Sequence, residues 1–223
     1  PQHSQSLQSL FAHIPGLTVI MPSSAQSAYE SYMYAAKSFK NPVISLEHRL
    51  LYDMTFKTDH EEVVLGDPFV ARLIQAGQDV TIVATSYMVQ EAQRAAQWVK
   101  EHANIEVEII DLHIVSNIDP LTIVRSLKKT GRMLVADTSW QAYGVSAEIC
   151  RLVMESDPGL LMEPVITMGM APTPCPTSHS LEDIYYQDMV DIVEGIYKLM
   201  RKDGVIPSKS EAKGMRKSFK GPF

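Results

Sequence analysis

Cysteine is almost absent from this chain: Cys150 and Cys175 are the only two in 223 residues, and they form no CxxC pair. That count excludes a disulfide-stapled secreted scaffold and a thiolate zinc site, and it suits a reducing compartment, the cytoplasm or a mitochondrial matrix. Long apolar runs are missing too. No stretch approaches the roughly 18 apolar residues that a membrane span needs, and residues 1–22 hold neither a basic leader nor a continuous apolar segment, so no membrane partner is expected. Self-contained catalytic signatures do not occur: there is no GxSxG, HExxH, Walker loop or GxGxxG. The seven histidines (His3, His13, His48, His60, His102, His113 and His179) never fall at HxH or HxxxH spacing, so the motifs assign no metal ligand and no cofactor-binding residue. Basic charge is scarce outside the end of the chain. The formal net charge is −6, although residues 201–223 carry seven basic side chains against Asp203 and Glu211. An acidic body argues against nucleic acid as a partner, and the tail reads as a flexible, solvated end.

What is present is a regular alternation of strand and helix patterns. Leu17 to Met21 form an apolar run ended by Pro22, and Ser23 or Ser24 can cap a helix striped by Ala25, Ala28, Tyr29, Tyr32, Met33 and Ala36. Asn41-Pro42 breaks that helix, and Val43 to Leu46 give a second short strand. Two strands cannot close a core, so the first fifty or so residues read as the remnant of a larger domain. From Asp79 the rhythm restarts, with strands at residues 80–84, 107–110, 133–136 and 165–168. Between and after them lie helices striped by Met88, Ala92, Ala95, Ala96 and Val99; by Leu121, Val124 and Leu127; by Val145, Ile149, Leu152 and Val153; and by Met189, Ile192, Val193 and Ile196. Strands and helices of these lengths predict a three-layer α/β domain with a mostly parallel sheet.

The opening run Pro1-Gln2-His3-Ser4-Gln5 feeds a short helix whose apolar residues are Leu7, Leu10 and Phe11, followed by a Pro15-Gly16 break. By itself, His3 reads as a solvated loop histidine. Its imidazole titrates near neutrality, which suits proton transfer beside a developing charge. The run from Pro1 to Pro22 resembles the segment around the active-site histidine in the beta subunits of thiamine-diphosphate-dependent 2-oxo acid dehydrogenases of the pyruvate and branched-chain type, members of the transketolase-like superfamily. The resemblance continues in order through Asn41 to Tyr52, Gly77 to Val83, Glu108 to Leu112, Lys129 to Arg132 and Ala147 to Ile149, about residues 1–200.

The resemblance implies a transketolase C-terminal-like α/β domain preceded by the end of a pyrimidine-binding α/β domain. The boundaries it implies are 1–52 for the pyrimidine-domain remnant, 53–76 for the linker, 77–202 for the C-terminal domain and 203–223 for the basic tail. It implies oxidative decarboxylation of a 2-oxo acid with acyl transfer to lipoyl-lysine, with His3 as the catalytic residue and His13 as a bystander on the same helix. Thiamine diphosphate and Mg would be bound mainly outside this chain, leaving the chain alone inactive. The partners implied are an alpha subunit, a second beta subunit paired through the C-terminal domain, and a dihydrolipoyl acyltransferase. Three features depart from the family pattern. Asp111-Leu112-His113-Ile114-Val115-Ser116-Asn117-Ile118-Asp119 lacks two arginines and a proline, a Gly-Gly-x-Gly run is reduced to Tyr143-Gly144-Val145-Ser146, and Phe39 stands where relatives place an aspartate near potassium. These departures keep two alternatives in view: a non-catalytic assembly module of the same fold, and the C-terminal part of a transketolase or deoxyxylulose-phosphate synthase.

Overall fold

A computed structural model of the chain describes residues 4–56 and 67–213. The first unit begins with α1 (Gln8–Ala12), β1 (Thr18–Ile20), α2 (Ala25–Lys37) and β2 (Val43–Ser45). β1 and β2 pair in parallel, as the crossover through α2 requires. Ser24 caps α2 by accepting from the Ser27 N–H, while the Ser27 side chain accepts from the Ser24 N–H.

The second unit contains β3 (Arg72–Gln75), β4 (Val80–Ala84), α3 (Tyr87–Ala103), β5 (Val107–Asp111), α4 (Leu121–Thr130), β6 (Met133–Trp140), α5 (Val145–Ser156) and β7 (Ile166–Met170). Three helices follow: α6 (His179–Tyr185), α7 (Met189–Met200) and α8 (Lys209–Lys213). The five strands lie in the order β3-β5-β4-β6-β7, all parallel except the antiparallel edge strand β3. Alternate strand residues feed opposite layers. Ile82, Ile109 and Leu134 pack with α3 and α7, whereas Val83, Ile110, Met133 and Val135 pack with α4 and α5. The helix layers follow from right-handed crossovers: β4 to β5 moves one way across the sheet, and β5 to β6 returns the other way. This is the predicted three-layer, mostly parallel α/β architecture.

The predicted stripes of α3 and α7 are buried along their whole length. Several other expectations need correction. In α1 the buried residue is Gln8, at 1% exposure, whereas Leu10 is 62% exposed. In α2 the helix is turned about: Ser27 and Ser31 face inward, while Tyr29 and Tyr32 face outward. The inward surface carries polar partners, so a serine face satisfies it where an apolar face would strand buried donors and acceptors. On α4, Leu121 lies exposed and Ile123 takes the inner position. Strand β3 and helix α6 lack a strong periodic signal and went unpredicted. Residues 203–213, expected as the start of a solvated tail, fold back over α3. The Trp98 indole Nε1–H donates to the Val205 carbonyl at 2.7 Å and Ala212 is buried in the core, because apolar anchors there outweigh the Lys- and Ser-rich composition. The rest of the tail, and part of the expected linker, lie outside the described residues.

Candidate functional site at the carboxyl ends of the sheet

The first unit is stitched onto the carboxyl ends of β4, β5 and β6. Beyond β5 the chain continues as a ragged strand along β1. Ile20 bridges Ile114 in antiparallel fashion, the Met21 N–H donates to the His113 carbonyl at 2.7 Å, and the Val115 N–H donates to the Val19 carbonyl at 3.0 Å. The Ser116 hydroxyl accepts from the Val19 N–H at 2.8 Å. These contacts occupy the β1 edge that β2 leaves open. After β4, Ser86 adopts φ +47°, a conformation that disfavours a side chain, and its hydroxyl donates to the Pro22 carbonyl at 3.1 Å.

Two buried aspartates mark this seam. Asp111 ends β5. Its Oδ2 accepts from the Ser23 hydroxyl at 2.5 Å and its Oδ1 from the His113 N–H at 2.9 Å. Burial pushes the Asp111 carboxyl up to about 6, outweighing these donors and the pull of Arg72. His113, wholly buried at φ +54°, meets Ser31 with its Nε2 at 2.7 Å. The single Ser31 hydroxyl proton is directed to the Ser27 carbonyl at 2.7 Å, so His113 Nε2 carries the hydrogen and Nδ1 is the bare nitrogen. Among the described residues that Nδ1 has no hydrogen-bond partner. Burial, with the Arg72 charge adding to it, lowers the His113 imidazole to about 4 while Glu30 opposes. Arg72 itself pairs with Glu30 of α2 at 2.6 Å, a further tie between the units.

Asp137, in β6, is the second. Its Oδ1 accepts from Gln8 Nε2 at 2.9 Å, the Thr85 hydroxyl at 2.7 Å and the Thr138 N–H at 2.8 Å, and its Oδ2 accepts from the Ser139 hydroxyl at 2.5 Å. Thr85 directly follows β4. β4 and β6 are the neighbours between which the strand order reverses, the place where open α/β sheets ordinarily receive ligands. Here the α1 residue Gln8 fills that place.

His3 lies outside the described residues. The helix that follows it starts at the seam, with Gln8 as its first residue, and His13 sits exposed at the other end of α1. Gly144 precedes α5 in a tight turn, where a Cβ would come 2.4 Å from the Trp140 carbonyl oxygen. Among the described residues, no group of three His, Cys, Asp or Glu side chains could hold a metal ion. Each carboxylate oxygen of the two seam aspartates already accepts at least one hydrogen bond from within the chain. These residues do not fit a diphosphate-Mg site. Sequence reading missed Gln8, Asp111, Asp137 and Ser31. The only signal for the aspartates was a charged residue at the carboxyl end of an apolar strand, and for Ser31 its i, i+4 spacing from Ser27.

Comparison with known proteins gives a consistent assignment. Residues 70–192 match the transketolase C-terminal domain and residues 1–55 the transketolase pyrimidine-binding domain. The pyruvate dehydrogenase E1 component subunit beta of Rickettsia felis is 35% identical over 199 residues, covering 89% of this chain and 60% of the relative. The mitochondrial subunits of that name from Chaetomium thermophilum and Saccharomyces cerevisiae are 35% and 32% identical, and the match covers 53% and 55% of their lengths. The chain thus spans little more than half of the curated relatives it matches. A solved split-gene transketolase, described as an inactive beta4 tetramer, shares the fold with TM-score 0.70 at 22% identity, covering 87% of this chain and 60% of that one. The chain belongs to the transketolase C-terminal domain family, with the end of a transketolase pyrimidine-binding domain ahead of it.

Proposed function

We propose that the chain is part of the beta subunit of a 2-oxo acid dehydrogenase, acting in the oxidative decarboxylation of pyruvate or a branched-chain 2-oxo acid with acyl transfer to lipoyl-lysine. The observation that carries this reading is the 35% identity over 199 residues to a pyruvate dehydrogenase E1 beta subunit, together with the two matched domains in order. In this reading residues 1–52 close a pyrimidine-binding domain, 53–76 link it to the C-terminal domain at 77–202, and 203–223 form the basic end.

His3 is the residue we assign to proton management at the substrate. It stands five residues before Gln8, and chain length alone keeps its Cα within about 18 Å of the Gln8 Cα. Thiamine diphosphate supplies the electron sink in such enzymes. In this reading the cofactor belongs to a site completed outside this chain and the chain alone is inactive, which the lack of a three-ligand metal cluster among the described residues supports. The outward Tyr29 and Tyr32 of α2 and Leu7, Leu10 and Ile14 around α1 offer an apolar surface for the alpha subunit or the rest of the pyrimidine-binding domain. A second beta subunit and a dihydrolipoyl acyltransferase complete the assembly. In this reading it works in the cytoplasm or in the mitochondrial matrix, and two of the relatives are named as mitochondrial. No helix among the described residues is long and apolar enough to cross a membrane.

Reconstitution tests the reading. A full-length beta subunit mixed with its alpha subunit, cofactor and Mg should reduce an artificial electron acceptor in the presence of pyruvate or a branched-chain 2-oxo acid. Assembly without turnover on any 2-oxo acid would favour the non-catalytic module, for which the altered Asp111 to Asp119 segment is the supporting observation.

A further inference from the structure

We propose that Gln8 is a positioning residue, which uses the ligand-receiving crevice of the C-terminal sheet as an anchor for the segment that bears His3. The inference rests on the functional reading above, and it adds how the reacting segment is held.

Gln8 is the first residue of a helix of only five residues, too short to be stable by its own backbone bonds. No side chain caps that helix, and the two apolar residues nearest its amino end point outward, Leu7 39% and Leu10 62% exposed, while Phe11 and Ala12 at its carboxyl end pack against the core. The α1 segment is therefore poorly fixed by apolar contacts at its amino end. What fixes that end is the Gln8 carboxamide, 1% exposed, which donates to Asp137 Oδ1 at 2.9 Å and to the Thr138 hydroxyl at 3.3 Å. These acceptors sit on β6, beside Thr85 at the end of β4, in the cleft between the strands where the sheet order reverses.

The acceptor end is rigid. Asp137 also receives the Thr85 hydroxyl, the Thr138 N–H and the Ser139 hydroxyl, so its carboxylate cannot swing to follow a moving helix. A neutral amide donating to a carboxylate is a charge-assisted bond, stronger than an ordinary one. The link spans 129 residues of sequence and joins the first unit to the sheet of the second. A crevice that elsewhere admits a ligand is here closed by the protein's own side chain. The consequence is mechanical: the backbone leading back from α1 to His3 departs from a point fixed on the large domain.

Gln8→Leu removes both donors and keeps similar bulk, while Asp137 retains three donors and stays satisfied. Folding should therefore survive, with the melting temperature and alpha-subunit affinity close to wild type. Hydrogen-deuterium exchange on the full-length beta subunit should show α1 amides exchanging at least tenfold faster, with the β4 to β6 core unchanged. In the reconstituted enzyme kcat per assembled site should fall about 10- to 100-fold with little change in KM, the usual penalty for misplacing a reacting group by an ångström or so. Gln8→Glu gives the conservative check. Its carboxyl can donate to Asp137 only while the pair shares a proton, so its kcat should approach wild type at acid pH and fall as pH rises, on a limb that wild type lacks. His13→Ala, exposed just beyond the far end of the same helix, should leave kcat unchanged.

Unchanged α1 exchange in Gln8→Leu would refute the anchor. Faster exchange with kcat within twofold of wild type would refute its role in positioning. If wild-type enzyme assembles but turns over no 2-oxo acid, the functional reading and the positioning role fall together, and the exchange result still decides whether the anchor exists.

Discussion

Asp111 and His113 lie two residues apart in the seam, and their displaced titrations should oppose each other. Burial favours the neutral form of both. The Asp111 carboxyl is raised from 3.8 to about 6, so its contribution to stability is complete below 3.8 and is lost as pH rises through 6. The His113 imidazole is lowered from 6.5 to about 4, so its contribution is complete above 6.5 and is lost as pH falls through 4. Each displacement covers roughly two pH units, and at about 1.4 kcal/mol per unit each is worth about 3 kcal/mol. In the wild-type chain the two slopes cancel over much of the window between pH 4 and 6.5. Asp111→Asn keeps the donor-acceptor shape and leaves the histidine slope bare. Relative to wild type, this variant should gain about 2 kcal/mol of stability as pH rises from 4 to 6. His113→Gln can still donate to Ser31 and should lose about the same amount relative to wild type as pH rises from 4 to 6.5. Urea unfolding at four or five pH values measures both differences, and other carboxylates common to all three proteins drop out of the comparison. Stability curves for the variants that run parallel to wild type throughout this window would show that neither group is displaced and that the seam is wetter than the structure indicates.

Three further outcomes are expected. Gly77→Ala should cost about 3 kcal/mol or more, or prevent folding, since a Cβ there would lie 2.2 Å from the Val107 backbone carbon; thermal unfolding checks it. Tyr143→Gly should raise stability by about 0.5 to 1 kcal/mol, because Tyr143 holds φ +57° while 95% exposed and buries almost nothing in return; its denaturant midpoint should rise. Calorimetric titration of the chain alone with thiamine diphosphate and Mg should give no saturable heat, and a micromolar dissociation constant would mean that a cofactor site is complete within it.

The sheet and its helices were legible because β4 to β7 and helices α3 and α7 are buried on regular periods, where hydrophobic burial and local pattern agree. The pattern misled where polar contacts decide orientation. The apolar stripe of α2 is real, yet Ser27 and Ser31 face inward because His113 and the Ser24 cap offer them partners. Gln8 carried no signal at all, since a glutamine between Leu7 and Ser9 reads as a solvated position and its acceptor lies 129 residues away. Likewise, His113 stood out only as a departure from a family pattern, and its Ser31 partner could be found only once β1 was seen beside the end of β5. For the reacting site, the sequence pointed to His3 through resemblance, whereas the anchor that fixes its segment needed the fold.

The claim that the opening segment carries a reacting histidine is tested most directly by paired substitutions in the reconstituted enzyme. His3→Ala should lower kcat by roughly 10²- to 10⁴-fold, the range of a positioned acid-base group, with little change in melting temperature, while His13→Ala, exposed beyond the far end of α1, should stay within about twofold of wild type. Equal losses for the two variants, or full activity in His3→Ala, would contradict the assignment and return His3 to the status of a solvated loop residue.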